Sequence, residues 1–420
     1  MELKKIRFQN FKLFKDVTFV FNKQFNIIIG NNMTGKTSIL EGIMAGIKPY
    51  LKNVQAIVNL KILEQDIHQA NYELCLPALI EIETKILGTE TKWELGANDE
   101  GKYFSNINEL STINKKINKL VHEKEVLPLF AYYPVSKVLN EKKFEPVTID
   151  SRLISYKNSH NAVKDYAKVF NWLITKEIKV RDKINGFQRS KLELELVKKV
   201  IISCLDLDDI FYDVEKREKM FFKLKDKRIL PISALSSGYK IIFAMIGDLA
   251  VRCIQLNPYL NEKAITETNG LVLIDEIDQH LHPILQQQIV GILRNTFPKL
   301  QFIVTTHSPH VIASAEAGEV IILPNIEDFE ELGGEISPEQ KSYKGWQLDY
   351  ILKDIMYMLD QDESWYHKIV NPILDEIDEA FKQKNVDNFD KGVEKLKVIL
   401  SPSDPILASL EIQKIRLKLK

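Results

Sequence analysis

The chain has 420 residues, 45% hydrophobic and 27% charged, and a formal net charge of −1. That length suits two or three domains with a sizeable core, and the near-zero charge removes any case for nucleic-acid binding by bulk attraction, leaving only a local basic face. The three cysteines, Cys75, Cys204 and Cys253, are too scattered for a disulfide framework or a cysteine zinc site; without an apolar signal core or a run of roughly 20 apolar residues, a cytoplasmic protein with no membrane partner is expected.

Alternation at Leu3, Ile6 and Phe8 predicts a strand over residues 2–9, with a turn over 10–16 and a second strand over 17–21. Phe25-Asn26-Ile27-Ile28-Ile29 reads as a buried strand. It runs into Gly30-Asn31-Asn32-Met33-Thr34-Gly35-Lys36-Thr37, and Ser38 onward reads as a helix. Strand, G-x-x-x-x-G-K-T, helix is a phosphate loop in its proper context. Unpaired N–H groups at the helix start attract an anion. Lys36 is then expected to reach the β- and γ-phosphates of ATP, and Thr37 to take a place on Mg²⁺.

Two alternating runs, 79–86 and 91–95, with turn signals at Gly88 and Gly101, predict a β-meander over 72–104. Residues 107–124 have helical spacing and a basic outer face, and 127–133 a short buried strand. Residues 150–229 read as mainly helical, with one amphipathic helix over 191–202 and a strand pair at 211–214 and 220–224. An acidic, glycine-containing linker is expected at 324–338, helices over 345–395, and a short basic amphipathic end at 405–418. The expected division is an ATPase lobe over 1–140, a helical insertion over 141–230, an ATPase core over 231–325, and a linker with a helical region over 326–420.

Three stretches in the second half complete a nucleotide site. Leu271-Val272-Leu273-Ile274 runs into Asp275-Glu276, as a buried parallel strand does at the sheet edge where ligands sit. Asp275 is expected in the Mg²⁺ shell, and Glu276 as the group that polarises the attacking water. Gln301-Phe302-Ile303-Val304-Thr305-Thr306-His307 is a second such strand. Its position assigns His307 to the γ-phosphate, although a lone histidine is more often structural. Leu235-Ser236-Ser237-Gly238-Tyr239-Lys240 precedes an apolar helix and forms a second anion site. By itself it would be an N-capping turn. One ATP does not need two cradles, so Ser236, Ser237 and Gly238 are expected to face ATP held by a second copy.

In order, these four motifs resemble the Walker A, signature, Walker B and switch-histidine motifs of the ABC-type ATPase superfamily. Asn10-Phe11-Lys12 and Asp275-Glu276-Ile277-Asp278-Gln279-His280-Leu281-His282-Pro283 resemble its soluble branch, which includes RecF, SMC and the overcoming-lysogenization-defect nucleases. Leu235–Lys240, Ala131-Tyr132-Tyr133 and the late Lys344-Gly345-Trp346 with Ile351-Leu352 resemble bacterial anti-phage ATPases of the Septu type, also found as retron effector subunits. The resemblance implies an α/β fold: an ABC-type P-loop ATPase head with an antiparallel β subdomain, a helical insertion and a C-terminal helical region. It also implies ATP hydrolysis, an ATP-sandwich homodimer or higher oligomer, and a D-loop at Asp278–His282, a better reading of His280 and His282 than zinc. The implied partners are an HNH nuclease subunit and, in retrons, a reverse transcriptase with its RNA and DNA.

Two residues depart from the resemblance: Met33 stands at a habitual glycine position, and Ser237 where transporters have glycine. A Q-loop is assigned only to the region Tyr133–Lys137. No nuclease site is legible; Asp375, Glu376, Asp378 and Glu379 read as a solvated helix face. Two other functions share the core motifs. One is a RecF-like DNA repair or clamp ATPase, binding DNA through Lys115, Lys116, Lys119, Lys142 and Lys143. The other is an ATP-dependent assembly scaffold with little hydrolysis.

Overall fold

Strands that are apolar along their whole length can only be buried on both faces, and this chain uses them for a parallel sheet. The computed structural model describes residues 1–54, 64–120, 123–135, 152–162, 166–213, 219–324, 334–356, 365–400 and 405–418. The sheet order is Val320–Ile322, Phe25–Ile29, Leu300–Thr305, Gly270–Ile274, Leu129–Tyr133, with every neighbouring pair parallel. All residues of Phe25–Ile29, Leu300–Thr305, Gly270–Ile274 and the edge strand Leu129–Tyr133 are buried. The buried Asn26 is satisfied: its Nδ2 donates to the carbonyls of Asn22 (2.9 Å) and Phe302 (3.3 Å). Because Leu300–Thr305 lies between the phosphate-loop strand and the acidic strand, three chain exits converge on one sheet edge.

A second sheet has the order Glu335–Ile336, Phe14–Val20, Glu2–Phe11, Ala78–Ile86, Thr89–Ala97, Tyr103–Asn106. Its pairs are antiparallel except the first, which is parallel. The meander therefore forms as its alternation predicts. Two expectations need correction. The turn over 10–16 shrinks to Lys12 and Leu13, because Phe11 still pairs with Phe14; Asn10 and Lys12 absorb the reversal at φ 48° and 50°. The linker expected at 324–338 contributes a strand at Glu335–Ile336, and residues 325–333 lie outside the described residues.

Phe8, Phe11, Phe14 and Phe19 cluster with ring centroids 5.1 to 5.9 Å apart. Helix Lys36–Val54 packs over this sheet, and Trp93 Nε1 donates to the Gly46 carbonyl at 2.8 Å. The two sheets are pinned together by Gln301, whose Oε1 accepts from Leu3 N (2.7 Å) and whose Nε2 donates to Leu3 O (2.8 Å).

The middle of the chain is less helical than its composition suggests. Helices Tyr166–Arg181 and Phe187–Cys204 are followed by an antiparallel sheet of Leu207–Asp213, Lys219–Leu224 and Ile229–Pro231. The first of these strands starts before residue 211 because a register shift between Leu207 and Asp209 breaks the apolar period. Helix Ser237–Leu256 then returns to the core, with fifteen of its residues buried.

The contacts divide the chain into two units, Met1–Ile351 and Leu352–Lys420. The second is built from helices Trp365–Lys382, Val386–Ile399 and Pro405–Lys418 around Val370, Ile377, Phe389, Leu396, Leu407 and Leu410. Asp375, Glu376, Asp378 and Glu379 are all exposed on the first of these helices.

Candidate nucleotide site

The loop between Phe25–Ile29 and helix Lys36–Val54 folds back on itself. Lys36 Nζ donates to the carbonyls of Gly30 (2.7 Å) and Asn31 (2.8 Å), and Thr34 Oγ1 to Asn31 O (2.9 Å). Burial pushes the Lys36 ammonium below its ordinary pKa, while Asp275, Glu276 and Asp278 pull it back up. Gly35 has φ +94°, and a Cβ there would sit 2.7 Å from Phe14 Cζ, so the β subdomain presses directly on the loop. Asn31, Asn32, Met33 and Thr37 are exposed, and Ser38 is half-buried on the first turn of the helix. Met33 has φ 68° and is 80% exposed. The left-handed backbone that a glycine takes freely is here taken by a side chain that points to solvent.

The acidic strand delivers its carboxylates to the same place. Thr37 Oγ1 donates to Asp275 Oδ2 at 3.0 Å. The other oxygen, Asp275 Oδ1, accepts from Thr305 Oγ1 at 2.5 Å. The Thr305 hydroxyl in turn accepts from the backbone N–H of Glu276 at 2.8 Å. Glu276 sits at φ 47°, half-buried, immediately past the buried Asp275. Thr306 Oγ1 donates to Asp278 Oδ1, which also accepts from His307 N at 3.4 Å. His307 is half-buried, and burial first, then the Lys36 charge, lowers its pKa below the ordinary value, with Asp278, Glu276 and Asp275 opposing. The imidazole is therefore neutral at pH 7 and can accept as well as donate.

A family model described as "AAA domain, putative AbiEii toxin, Type IV TA system" matches residues 79–313, more than half of the chain. The chain belongs to that family and is an ATPase. Among relatives, "Retron Vc95 probable ATPase" of Vibrio cholerae serotype O1 biovar El Tor is 28% identical over 383 residues, covering 78% of this chain and 74% of that protein. "Retron Ec83 probable ATPase" of Escherichia coli is 27% identical, covering 77% and 72%. "Septu protein PtuA" of Bacillus thuringiensis is 31% identical over 185 residues, 43% of this chain and 44% of that protein, so the match spans less than half of PtuA.

Ser236, Ser237 and Gly238, expected as a second anion site, lie at the start of the apolar helix Ser237–Leu256. Ser236 caps helix Ser237–Leu256, its Oγ accepting from Tyr239 N at 3.5 Å. Gly238 is buried against the chain's own Asp278–His282 stretch: a Cβ there would lie 3.0 Å from the His280 carbonyl. Ser236 and Ser237 are exposed and line an open groove of about 1590 Å³ with His280, His282, His310 and Trp346, and no phosphate-loop residue lines it among the described residues. His280 has φ 62°, and His282 caps helix Pro283–Thr296, its Nδ1 accepting from Ile284 N at 3.4 Å.

The Thr37 hydroxyl and Asp275 carboxylate are hard oxygen donors at one point, the donor type that Mg²⁺ takes. Lys36, Thr37, Asp275, Glu276 and His307 thus lie at one sheet edge, and Gly238 packs on the stretch that follows the acidic strand. Sequence reasoning assigned no role to Thr305, Thr306 or Asp278 in holding the carboxylates and the histidine. The signal was a hydroxyl pair directly before the histidine. Of the Q-loop region, Tyr133, Pro134 and Val135 are described, while Ser136 and Lys137 lie outside the described residues, as do Lys142 and Lys143.

Proposed function

We propose that this ATPase is the nucleotide-driven subunit of a bacterial anti-phage defence system, pairing with a second copy around ATP and controlling a partner nuclease of the HNH type. The Septu and retron names of its relatives support the defence setting; in the retron setting a reverse transcriptase with its RNA and DNA would be a further partner. The observation that carries the reading is that the signature serines are exposed on a groove that no phosphate-loop residue lines among the described residues, while Gly238 is packed on the Asp278–His282 stretch. A site with its cradle on one side and its second anion contact on another face of the molecule is completed by a second molecule.

Within one copy, the backbone N–H groups of residues 30–37 and the Lys36 ammonium would hold the phosphates of ATP. Thr37 and Asp275 would hold Mg²⁺, which when bound offsets phosphate charge. Glu276 would accept a proton from the attacking water, and the neutral His307 would hydrogen-bond the γ-phosphate or that water. Ser236, Ser237 and Gly238 would meet the γ-phosphate of the ATP held by the second copy.

Complementation between two defective chains tests the arrangement. Lys36→Ala disables the loop, and Ser237→Arg blocks the signature. Each alone is expected to be inactive, and their mixture is expected to recover hydrolysis, because one mixed site has both parts intact. No recovery, with both variants folded, would sink the two-copy reading. Co-purification with an HNH nuclease encoded beside the gene tests the partner.

A DNA-directed RecF-like role has one observation in its favour. Lys115, Lys116 and Lys119 are all exposed on helix Asn108–Leu120. Steeply salt-dependent binding to duplex DNA by the isolated chain would support it.

A further inference from the structure

Asp248 is a carboxylate only 2% exposed, in the middle of helix Ser237–Leu256, about three turns beyond the signature serines. It has more partners than a structural ion pair requires. Its Oδ2 accepts from Arg252 Nε at 2.6 Å and from the Tyr133 hydroxyl at 2.7 Å; its Oδ1 accepts from Lys168 Nζ at 2.6 Å. Arg252, equally buried, is anchored in turn: its Nη1 donates to the carbonyls of Ser155 and Lys157. Burial alone would raise the Asp248 pKa, but Arg252 and Lys168 outweigh it and keep the carboxylate ionised. Burial raises the Tyr133 pKa, and the Asp248 charge adds to it, so its hydroxyl keeps its proton and remains a donor.

Tyr133 links this network to the nucleotide site. It is the last residue of the edge strand Leu129–Tyr133, in register with Ile274 of the acidic strand. Its carbonyl accepts from the backbone N–H of Asp275 at 2.9 Å. One residue therefore joins the signature helix, through its side chain, to the backbone of the carboxylate that meets Thr37, through its main chain. A buried charged network contributes little net stability over an apolar filling of the same volume, so conformational specificity is the better reason for this one.

We propose that Tyr133 and Asp248 are positioning residues, which set the backbone of Asp275 from the signature helix and from helix Tyr166–Arg181. The proposal rests on the ATP reading of the site. It predicts that whatever pulls on the Ser236 end of the helix alters the metal-holding carboxylate of the same chain. Two ATP sites in a dimer would then sense each other through Asp248.

The test is Mg²⁺-dependent binding of a fluorescent ATP analogue to the full chain, with Tyr133→Phe and Asp248→Asn compared with wild type. Tyr50→Phe serves as control, since it removes another buried tyrosine hydroxyl, 3.2 Å from that of Tyr156. The Mg²⁺ concentration for half-maximal binding is expected to rise roughly tenfold in Tyr133→Phe and Asp248→Asn, as supporting-shell changes do at metal sites. Binding without Mg²⁺, which uses the phosphate loop, is expected to stay unchanged. The control is expected to lose thermal stability without moving the Mg²⁺ midpoint. Equal Mg²⁺ midpoints in all four folded proteins would overturn the proposal while leaving the ATP reading intact. A wild-type chain that binds no nucleotide would overturn both.

Discussion

The Thr305 hydroxyl stands between the two acidic residues of the site, donating to Asp275 Oδ1 at 2.5 Å while accepting from the backbone N–H of Glu276. One small side chain sets both the carboxylate that meets Thr37 and the backbone that aims Glu276. Thr305→Val keeps the shape and removes the hydroxyl, and with it one hydrogen bond to the Asp275 carboxylate and one from the Glu276 N–H. The expected cost is about 1–3 kcal/mol of stability, measured by denaturant unfolding, with a hydrolysis loss of roughly tenfold or more. Thr305→Ser should restore most of both.

Glu276 and Lys36 separate binding from hydrolysis. Lys36→Ala is expected to abolish nucleotide binding, read by equilibrium titration. Glu276→Gln should bind ATP normally, lose on the order of 10²–10⁴ in hydrolysis rate, and accumulate as an ATP-bound dimer in light scattering. A Glu276→Gln chain that stays monomeric with ATP would count against the sandwich.

Met33 holds a left-handed backbone that costs an L residue about 1 kcal/mol. Met33→Gly removes that strain but adds freedom to the unfolded chain, so its melting temperature should stay close to wild type. Met33→Ile puts a β-branched side chain at φ 68°, a conformation it strongly resists. Its loop should distort and its ATP affinity fall severalfold, measured by titration beside the glycine variant.

The lowered pKa of His307 fixes the sign of a pH effect. Burial favours the neutral ring, so hydrolysis that needs it should be flat above the ordinary histidine pKa of about 6.5. It should decline only when the pH falls below that value, through the depressed folded-state pKa. A rate profile of wild type against His307→Gln checks this: the acid limb assigned to His307 should vanish in the variant.

The parallel sheet was legible because strands buried on both faces announce themselves as apolar runs, Phe25–Ile29 and Leu271–Ile274 among them. The structure also brings Lys36, Asp275 and His307, expected at one site, to one edge of that sheet. What stayed hidden is cross-chain pairing. Nothing near Tyr133 in the sequence points to Asp248, and nothing near Thr18 points to Gly334, whose carbonyl accepts its N–H at 3.1 Å. The short turn at Lys12–Leu13 was hidden for a different reason: lysine and leucine are poor turn formers, and tertiary packing around Phe14 overrode their preference.

The interposed strand Leu300–Thr305 has a consequence for how the protein comes into being. The phosphate loop is complete by residue 37, yet Thr37 meets its carboxylate only after Asp275 is made, and that carboxylate is held by Thr305. A ribosome must therefore pass residue 305 before the loop can meet carboxylates that are held in place. A truncated product released earlier carries the loop without the acids. That order of synthesis leaves an unfinished chain without the acids that complete the site the loop begins.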